Sequence, residues 1–195
     1  MSEIKTVGII GNPNVGKTYL FNRLTACVGC VGNWSGVTST TYKAQSCGQD
    51  RYTILDLPGC HHLSEGGKGA VTDGQKEIEA LLDNSQVDLW LNVLDVDHLQ
   101  RQLFLTVQLL EARQNVILVL NRVDLLPGLE KEIDIKALSD CLQVPIVKVS
   151  AKLGLGIRAL QSTVSSQLKN PTERADMYPV QYPPLVEQLL DKRTV

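Results

Sequence analysis

Gly11-Asn12-Pro13-Asn14-Val15-Gly16-Lys17-Thr18 fills every fixed position of the pattern G-x-x-x-x-G-K-[ST], in which backbone wraps an anion. The glycines let successive N–H groups turn inward, the helix that follows offers its positive end, and Lys17 adds a mobile charge for β- and γ-phosphates. The Thr18 hydroxyl suits Mg²⁺, and Tyr19 completes the set at the first helical turn. Three further clusters carry matching chemistry. In Asp56-Leu57-Pro58-Gly59 the carboxylate can hold Mg²⁺ through a water, and the glycine N–H can face a γ-phosphate. In Asn121-Arg122-Val123-Asp124 the last carboxylate can accept two hydrogen bonds from the N1 and exocyclic amine of guanine, a pattern adenine does not supply. Asn121 would brace that loop and Arg122 would lie along the base plane. In Ser150-Ala151-Lys152 the Ala151 N–H would meet the guanine oxygen.

Taken singly, D-x-x-G is a turn after a strand, N-R-V-D is a polar loop with a helix cap, and a lysine in a glycine-rich turn is incidental. Their weight comes from the elements that carry them. Val7-Gly8-Ile9-Ile10 is a short β-branched run of the kind that forms a buried parallel strand, and helical spacing continues from Tyr19 through Leu24. Strands are expected at residues 42–47 and 51–56, joined by Gly48-Gln49-Asp50, then at 87–94, 115–120 and 144–149. Helices are expected at 75–82, 99–112, 133–142 and 157–168, with Leu103, Val107 and Leu110 forming the apolar stripe of the second. Alternation of this kind predicts an α/β fold, a doubly wound, mostly parallel sheet flanked by helices. The carboxyl ends of its strands would gather all four clusters at one edge, where ligands bind in open sheets. Residues 27–41 and the glycine-rich run 65–69 read as two long loops able to order around a third phosphate.

The chain has 195 residues, 43% hydrophobic and 5% aromatic, with net charge −2. That suffices for one full core and a short appendage. A nucleic-acid footprint is not expected from a chain without basic surplus, and no apolar run reaches bilayer length. The amino-terminal residues lack the basic and apolar regions of a signal peptide, so a cytoplasmic domain is expected. Five cysteines argue for reduced thiols. Cys27 and Cys30, with Cys60-His61-His62, raise the alternative of a metal or thiol site, for which no second C-x-x-C completes a ligand set.

The phosphate loop followed by Leu20-Phe21-Asn22-Arg23-Leu24-Thr25, the segment Val31-Gly32-Asn33-Trp34-Ser35-Gly36-Val37-Thr38 and Asp56-Leu57-Pro58-Gly59 together resemble the G domains of the bacterial ferrous iron transport protein B (FeoB) family. The middle segment is the discriminating one, and the resemblance extends over roughly residues 4–168. It implies a P-loop NTPase of Ras-like form that binds GTP and GDP with Mg²⁺ and hydrolyses GTP slowly. By the same resemblance Thr38 reaches Mg²⁺ and the γ-phosphate, Gly36 and Val37 flank the nucleotide, and Asn14 helps coordinate an activating K⁺. The position after D-x-x-G is Cys60 and not a water-orienting glutamine. Tyr19 stands where the family has a small hydroxyl residue.

The resemblance divides the chain into a G domain, 1–170, and a linker with the start of a helical spacer, 171–195, whose segment Tyr182-Pro183-Pro184-Leu185-Val186 would open the first spacer helix. Family members continue into a polytopic membrane region, which places the parent protein in the bacterial inner membrane with this portion on the cytoplasmic side. Self-association through the switch loops or the tail is expected, because a severed amphipathic helix leaves an apolar face to cover. Two other readings compete: a non-catalytic module that responds to nucleotide, and a stand-alone Era-like GTPase.

Overall fold

The computed structural model describes residues 4–25, 41–48, 50–63, 72–125 and 133–171. Its elements run β1 (Thr6–Ile10), α1 (Lys17–Thr25), β2 (Tyr42–Gln45), β3 (Thr53–Asp56), α2 (Asp73–Asp83), β4 (Leu89–Asp95), α3 (Leu99–Glu111), β5 (Val116–Asn121), α4 (Ile135–Leu142), β6 (Ile146–Lys148) and α5 (Ile157–Lys169). The six strands form one sheet in the order β2-β3-β1-β4-β5-β6. All neighbours are parallel except β2, which pairs antiparallel with β3 at the edge. This is the doubly wound, mostly parallel α/β sheet anticipated from the alternation of elements.

Period-two geometry sends alternate side chains of each strand into separate cores. On one face Val7, Ile9, Ile54, Leu91 and Val119 pack with Leu20, Phe21 and Leu24 of α1 and Leu160 and Val164 of α5. On the other face Ile10, Leu55, Trp90, Leu94 and Leu118 pack with Ile78 of α2, Leu105 and Leu109 of α3 and Leu142 of α4. Every position of β3, β4 and β5 is buried, as a sheet covered on both faces requires. Truncating a ring such as Phe21 in such a core costs about 3–5 kcal/mol. The edge strand β2 alternates half-buried and exposed positions, the signature of one solvated face.

Local hydrogen bonds move several boundaries from their expected places. Helix α2 starts at Asp73, before Gln75, because Thr72 and Gln75 close a capping box. Helix α4 starts at Ile135 because Asp134 accepts from the Ala137 N–H at 2.9 Å. The β2–β3 connection is longer than the expected Gly48-Gln49-Asp50 turn. Ser46 Oγ donates to Asp50 O at 2.8 Å and accepts from the Tyr52 N–H at 3.1 Å, so the hydroxyl takes one half of a backbone pair whose other half, Ser46 N–H to Tyr52 O at 2.9 Å, remains.

Strand order reverses across β1, whose neighbours β3 and β4 come from opposite directions of the winding. The loop after β1 therefore opens at the crevice where the sheet's topology switches. The expected loop at 27–41, apart from Thr41, the run at 65–69 and the tail segment at 182–190 lie outside the described residues, and with them Gly36, Val37 and Thr38.

Candidate functional site

The loop between β1 and α1 needs backbone that ordinary residues avoid. Asn14 sits at φ 64° and Gly16 at φ 97°, both left-handed. A Cβ on Gly16 would stand 2.4 Å from Asn121 Nδ2, so glycine is required twice over, by conformation and by space. Lys17 is buried, and its ammonium donates to Gly11 O at 3.1 Å and Asn12 O at 2.9 Å, curling over the loop it serves. Burial pulls the Lys17 pKa below that of an ordinary lysine, while the nearby Asp56 carboxylate pushes it back up.

Strand β3 delivers Asp56 to the same edge, opposite the start of α1. Thr18 Oγ1 donates to Asp56 Oδ2 at 2.9 Å, and Asp56 Oδ1 is buried with no hydrogen-bond partner among the described residues. Burial raises the Asp56 pKa, against the Thr18 hydrogen bond and the Lys17 charge. A threonine hydroxyl and an aspartate with an unspent oxygen form the hard-oxygen donor set that Mg²⁺ takes, so these residues fit that ion. Past the strand, Gly59 packs against the loop: a Cβ there would lie 2.9 Å from Pro13 Cα. The next residue locks this contact, with the Cys60 N–H donating to Gly11 O at 3.1 Å.

Strand β5 ends in Asn121, a buried hub. Its Nδ2 donates to Val15 O at 2.7 Å, and its Oδ1 accepts from the Ala151 N–H at 3.0 Å. One side chain thus ties the phosphate loop to the Ser150-Ala151-Lys152 loop. The Ala151 N–H, expected to meet a guanine oxygen, is here engaged with Asn121, because the two loops approach closely enough for the amide to close the hub. Arg122, at φ 66°, donates from Nη1 to Asp95 Oδ2 at 2.6 Å and from Nη2 to Asn14 O at 2.9 Å. Asp124 lines the same cleft, of about 670 Å³, together with Asn14, Lys17, Thr18, Tyr19 and Lys152. That volume suits a ligand of nucleotide size.

Three contributors escape sequence reasoning. Arg23 on α1 donates from Nε to Ala151 O at 3.1 Å and from Nη2 to Lys152 O at 2.7 Å, holding the Ser150-Ala151-Lys152 loop. Asp95, the last residue of β4, pairs with Arg122; a charge closing a mostly apolar strand was the available signal. Thr41 Oγ1 donates to Glu77 Oε1 of α2 at 2.5 Å, joining the stretch before β2 to the helix after D-x-x-G. Neither residue stands out in sequence.

The alternative metal site finds no support among the described residues, which contain no cluster of three or more His, Cys, Asp or Glu side chains able to hold a metal. Cys60 is buried, its thiol donates to His62 O at 2.8 Å, and burial pushes its pKa up, away from the thiolate that metals require. Cys27 and Cys30 lie outside the described residues. No described helix is long and apolar enough to cross a membrane.

Comparison with known proteins converges on one family. The sequence model of ferrous iron transport protein B matches residues 5–164. The Fe(2+) transporters FeoB of Salmonella typhimurium and Escherichia coli strain K12 are each 39% identical over 166 residues, 85% of this chain. The chain spans 21% of the length of those relatives. Among solved structures, the FeoB G-domain of Methanococcus jannaschii is 30% identical with a TM-score of 0.73, covering 87% of this chain and 100% of that one. A mutant S. thermophilus NFeoB bound to GDP·AlF4⁻ is 34% identical with a TM-score of 0.72, over 85% of this chain and 64% of that one.

Proposed function

We propose, from the premise that this chain belongs to the ferrous iron transport protein B family, that its cleft selects guanine nucleotides and hydrolyses GTP slowly. The observation that carries the reading is the Asn121 hub, which joins the phosphate loop to the base-side loop through Val15 O and the Ala151 N–H. Phosphate and base elements are thereby fixed relative to one another, as a ligand with both parts demands. The GDP·AlF4⁻ bound to the S. thermophilus relative is of that class.

In this reading Gly11, Asn12, Pro13, Asn14, Val15 and Gly16 cradle the phosphates, and Lys17 turns its ammonium from the loop carbonyls to the β- and γ-phosphates. Asp124 accepts from the guanine N1 and exocyclic amine. The aliphatic stem of Arg122 lies along the base, and Ser150 and Lys152 shape the far wall. Gly59 offers its N–H to the γ-phosphate, and Thr38 reaches the same group. Thr18, Asp56 and Thr38 would hold Mg²⁺, which supplies positive charge against the β- and γ-phosphate oxygens. The exposed side chain of Asn14 offers a hard amide oxygen for K⁺ while its backbone carbonyl is held by Arg122.

Slow turnover follows from Cys60. Its thiol is buried and donates to the His62 carbonyl, so it neither orients nor deprotonates an attacking water. The same feature favours, as a second reading, a module whose GTP-bound state matters more than its hydrolysis. As part of a longer transporter, the domain would sit on the cytoplasmic side of a bacterial inner membrane and switch Fe²⁺ uptake, with residues 171–195 leading into a helical spacer. Contacts between copies through the switch loops or tail belong to the same proposal.

The test compares affinity and turnover for GTP, GDP and ATP in K⁺ and in Na⁺. Preference for guanine nucleotides and faster hydrolysis in K⁺ are expected. Equal binding of ATP would overturn the base assignment, equal rates in the two salts would overturn the role of Asn14, and tight GTP binding without turnover would favour the second reading.

A further inference from the structure

Tyr19 is out of place as a core residue. Helical spacing on α1 buries Leu20, Phe21 and Leu24, whereas the Tyr19 ring, one residue past the phosphate-binding Thr18, is 61% exposed. It is not turned to bulk solvent at random, because it lines the cleft that also contains Asp124, Leu125 and Lys152. Leu125 is 59% exposed, so an aromatic and an aliphatic side chain both border a cleft otherwise walled by polar and charged groups. The phosphate half of that cleft is accounted for by the loop, Lys17 and Thr18. What remains between Tyr19 and Asp124 is the half in which the reading above places the nucleoside.

We propose that the Tyr19 ring is the aromatic wall of the nucleoside half, stacking on the guanine base whose edge Asp124 reads. The inference rests on the guanine-nucleotide reading and adds a specificity-neutral source of affinity to it. A carboxylate that reads an edge contributes discrimination; a π-face contributes binding energy to any base, with little distinction among them. Tyr19 pairs naturally with Arg122, whose planar guanidinium is anchored to Asp95 and Asn14 O and whose stem serves the base from the other loop. The phenol hydroxyl is not required for this role, since a stacking surface is supplied by the ring alone.

The experiment uses the full chain and three probes: GDP, ADP and inorganic tripolyphosphate. Asp124→Ala first tests the underlying reading: loss of the GDP-over-ADP preference upholds it, and an unchanged preference overturns it together with the role of Tyr19. Tyr19→Thr is then expected to weaken GDP and ADP alike by roughly tenfold, leave tripolyphosphate affinity unchanged, and be rescued by Tyr19→Phe. Wild-type GDP affinity in Tyr19→Thr, with guanine preference intact, overturns the proposal alone. An equal loss toward tripolyphosphate also overturns it, because the residue would then act in the phosphate half. A second measurement needs no variant: tetranitromethane nitration of the wild-type chain, mapped by peptide mass spectrometry. Protection of Tyr19 by GDP and not by tripolyphosphate is expected, and nitration indifferent to GDP overturns the stacking.

Discussion

Thr18 Oγ1 donates to Asp56 Oδ2 at 2.9 Å while Asp56 Oδ1, buried, has no hydrogen-bond partner among the described residues. The pair spans the crevice between α1 and β3 and leaves one oxygen in reserve. Asp56 is thus a buried carboxylate whose charge is only partly compensated.

A pH dependence follows from that imbalance. Burial raises the Asp56 pKa above its ordinary value, with Thr18 and Lys17 opposing. A group with a raised folded-state pKa favours the native state fully below its unfolded pKa, and that contribution disappears as pH rises through the folded one. At neutral pH the ionised Asp56 therefore weakens the nucleotide-free fold. Asp56→Asn, which keeps the Thr18 contact without the charge, is expected to raise the neutral-pH melting temperature by about 2–4 °C, the size of an effect of about 1 kcal/mol in a chain this long. The gain should shrink on acidification, as the wild-type carboxyl takes up its proton. The same variant should lose Mg²⁺-dependent GDP affinity by roughly tenfold or more. Melting curves across acid to neutral pH and titrations with and without Mg²⁺ check both; a destabilised variant at pH 7 would contradict the argument.

Arg122 and Asp95 form the second testable pair. The Asp95 side chain is 6% exposed and that of Arg122 40% exposed, so the two are not equivalent partners. Removing Arg122 strands a buried charge and frees Asn14 O, at a cost of about 1–3 kcal/mol, whereas removing Asp95 leaves an arginine that reaches water, at a smaller cost. Arg122→Ala should accordingly destabilise more than Asp95→Ala in urea unfolding, and the double variant should be less destabilised than Arg122→Ala alone, because no buried charge is then left stranded. Arg122→Lys should recover only part of the loss, since a single ammonium does not reproduce a fork that meets a carboxylate and a carbonyl together. Additive losses in the double variant would show the pair to be uncoupled.

What the sequence revealed of this molecule is what is local or periodic. The phosphate loop is a run of consecutive residues whose glycine positions answer to φ and space, and Gly16 proves to need both. Strands β4 and β5 are buried on both faces and read as mostly apolar runs, so the carboxyl end of β5, with Asn121, is legible closely. Contacts made by folding alone were not legible. Arg23 and Ala151 are 128 residues apart, Thr41 and Glu77 36 apart, and their types are common at helix ends and in loops. The Ser46 hydroxyl lengthened a turn that glycine alone made look short. The engagement of Ala151 N–H by Asn121 depends on how far two loops stand apart, which spacing along a chain does not specify.

Arg23 offers the sharpest separation between the two halves of the site. Helix α1 begins at the phosphate loop, and nearly two turns later its Arg23 grips the carbonyls of Ala151 and Lys152 at 3.1 and 2.7 Å. Those carbonyls belong to the loop that frames the base, so Arg23 acts on base recognition only through backbone, as a positioning residue. Loss of its two charge-assisted bonds leaves Asn121 as the remaining described tie to that loop, through the Ala151 N–H. Arg23→Ala is expected to lower the preference for GTP over ATP by roughly three- to tenfold, in proportion to about 1 kcal/mol of lost ordering, and to speed GDP release. Binding of tripolyphosphate should stay as it is, because Lys17 and the loop glycines are untouched. Arg23→Lys should restore part of the selectivity, through one of the two carbonyls. Competition titrations with the two nucleotides and with tripolyphosphate distinguish this from general destabilisation: a variant that weakens all three ligands by the same factor would place Arg23 in the scaffold and not in the reading of the base.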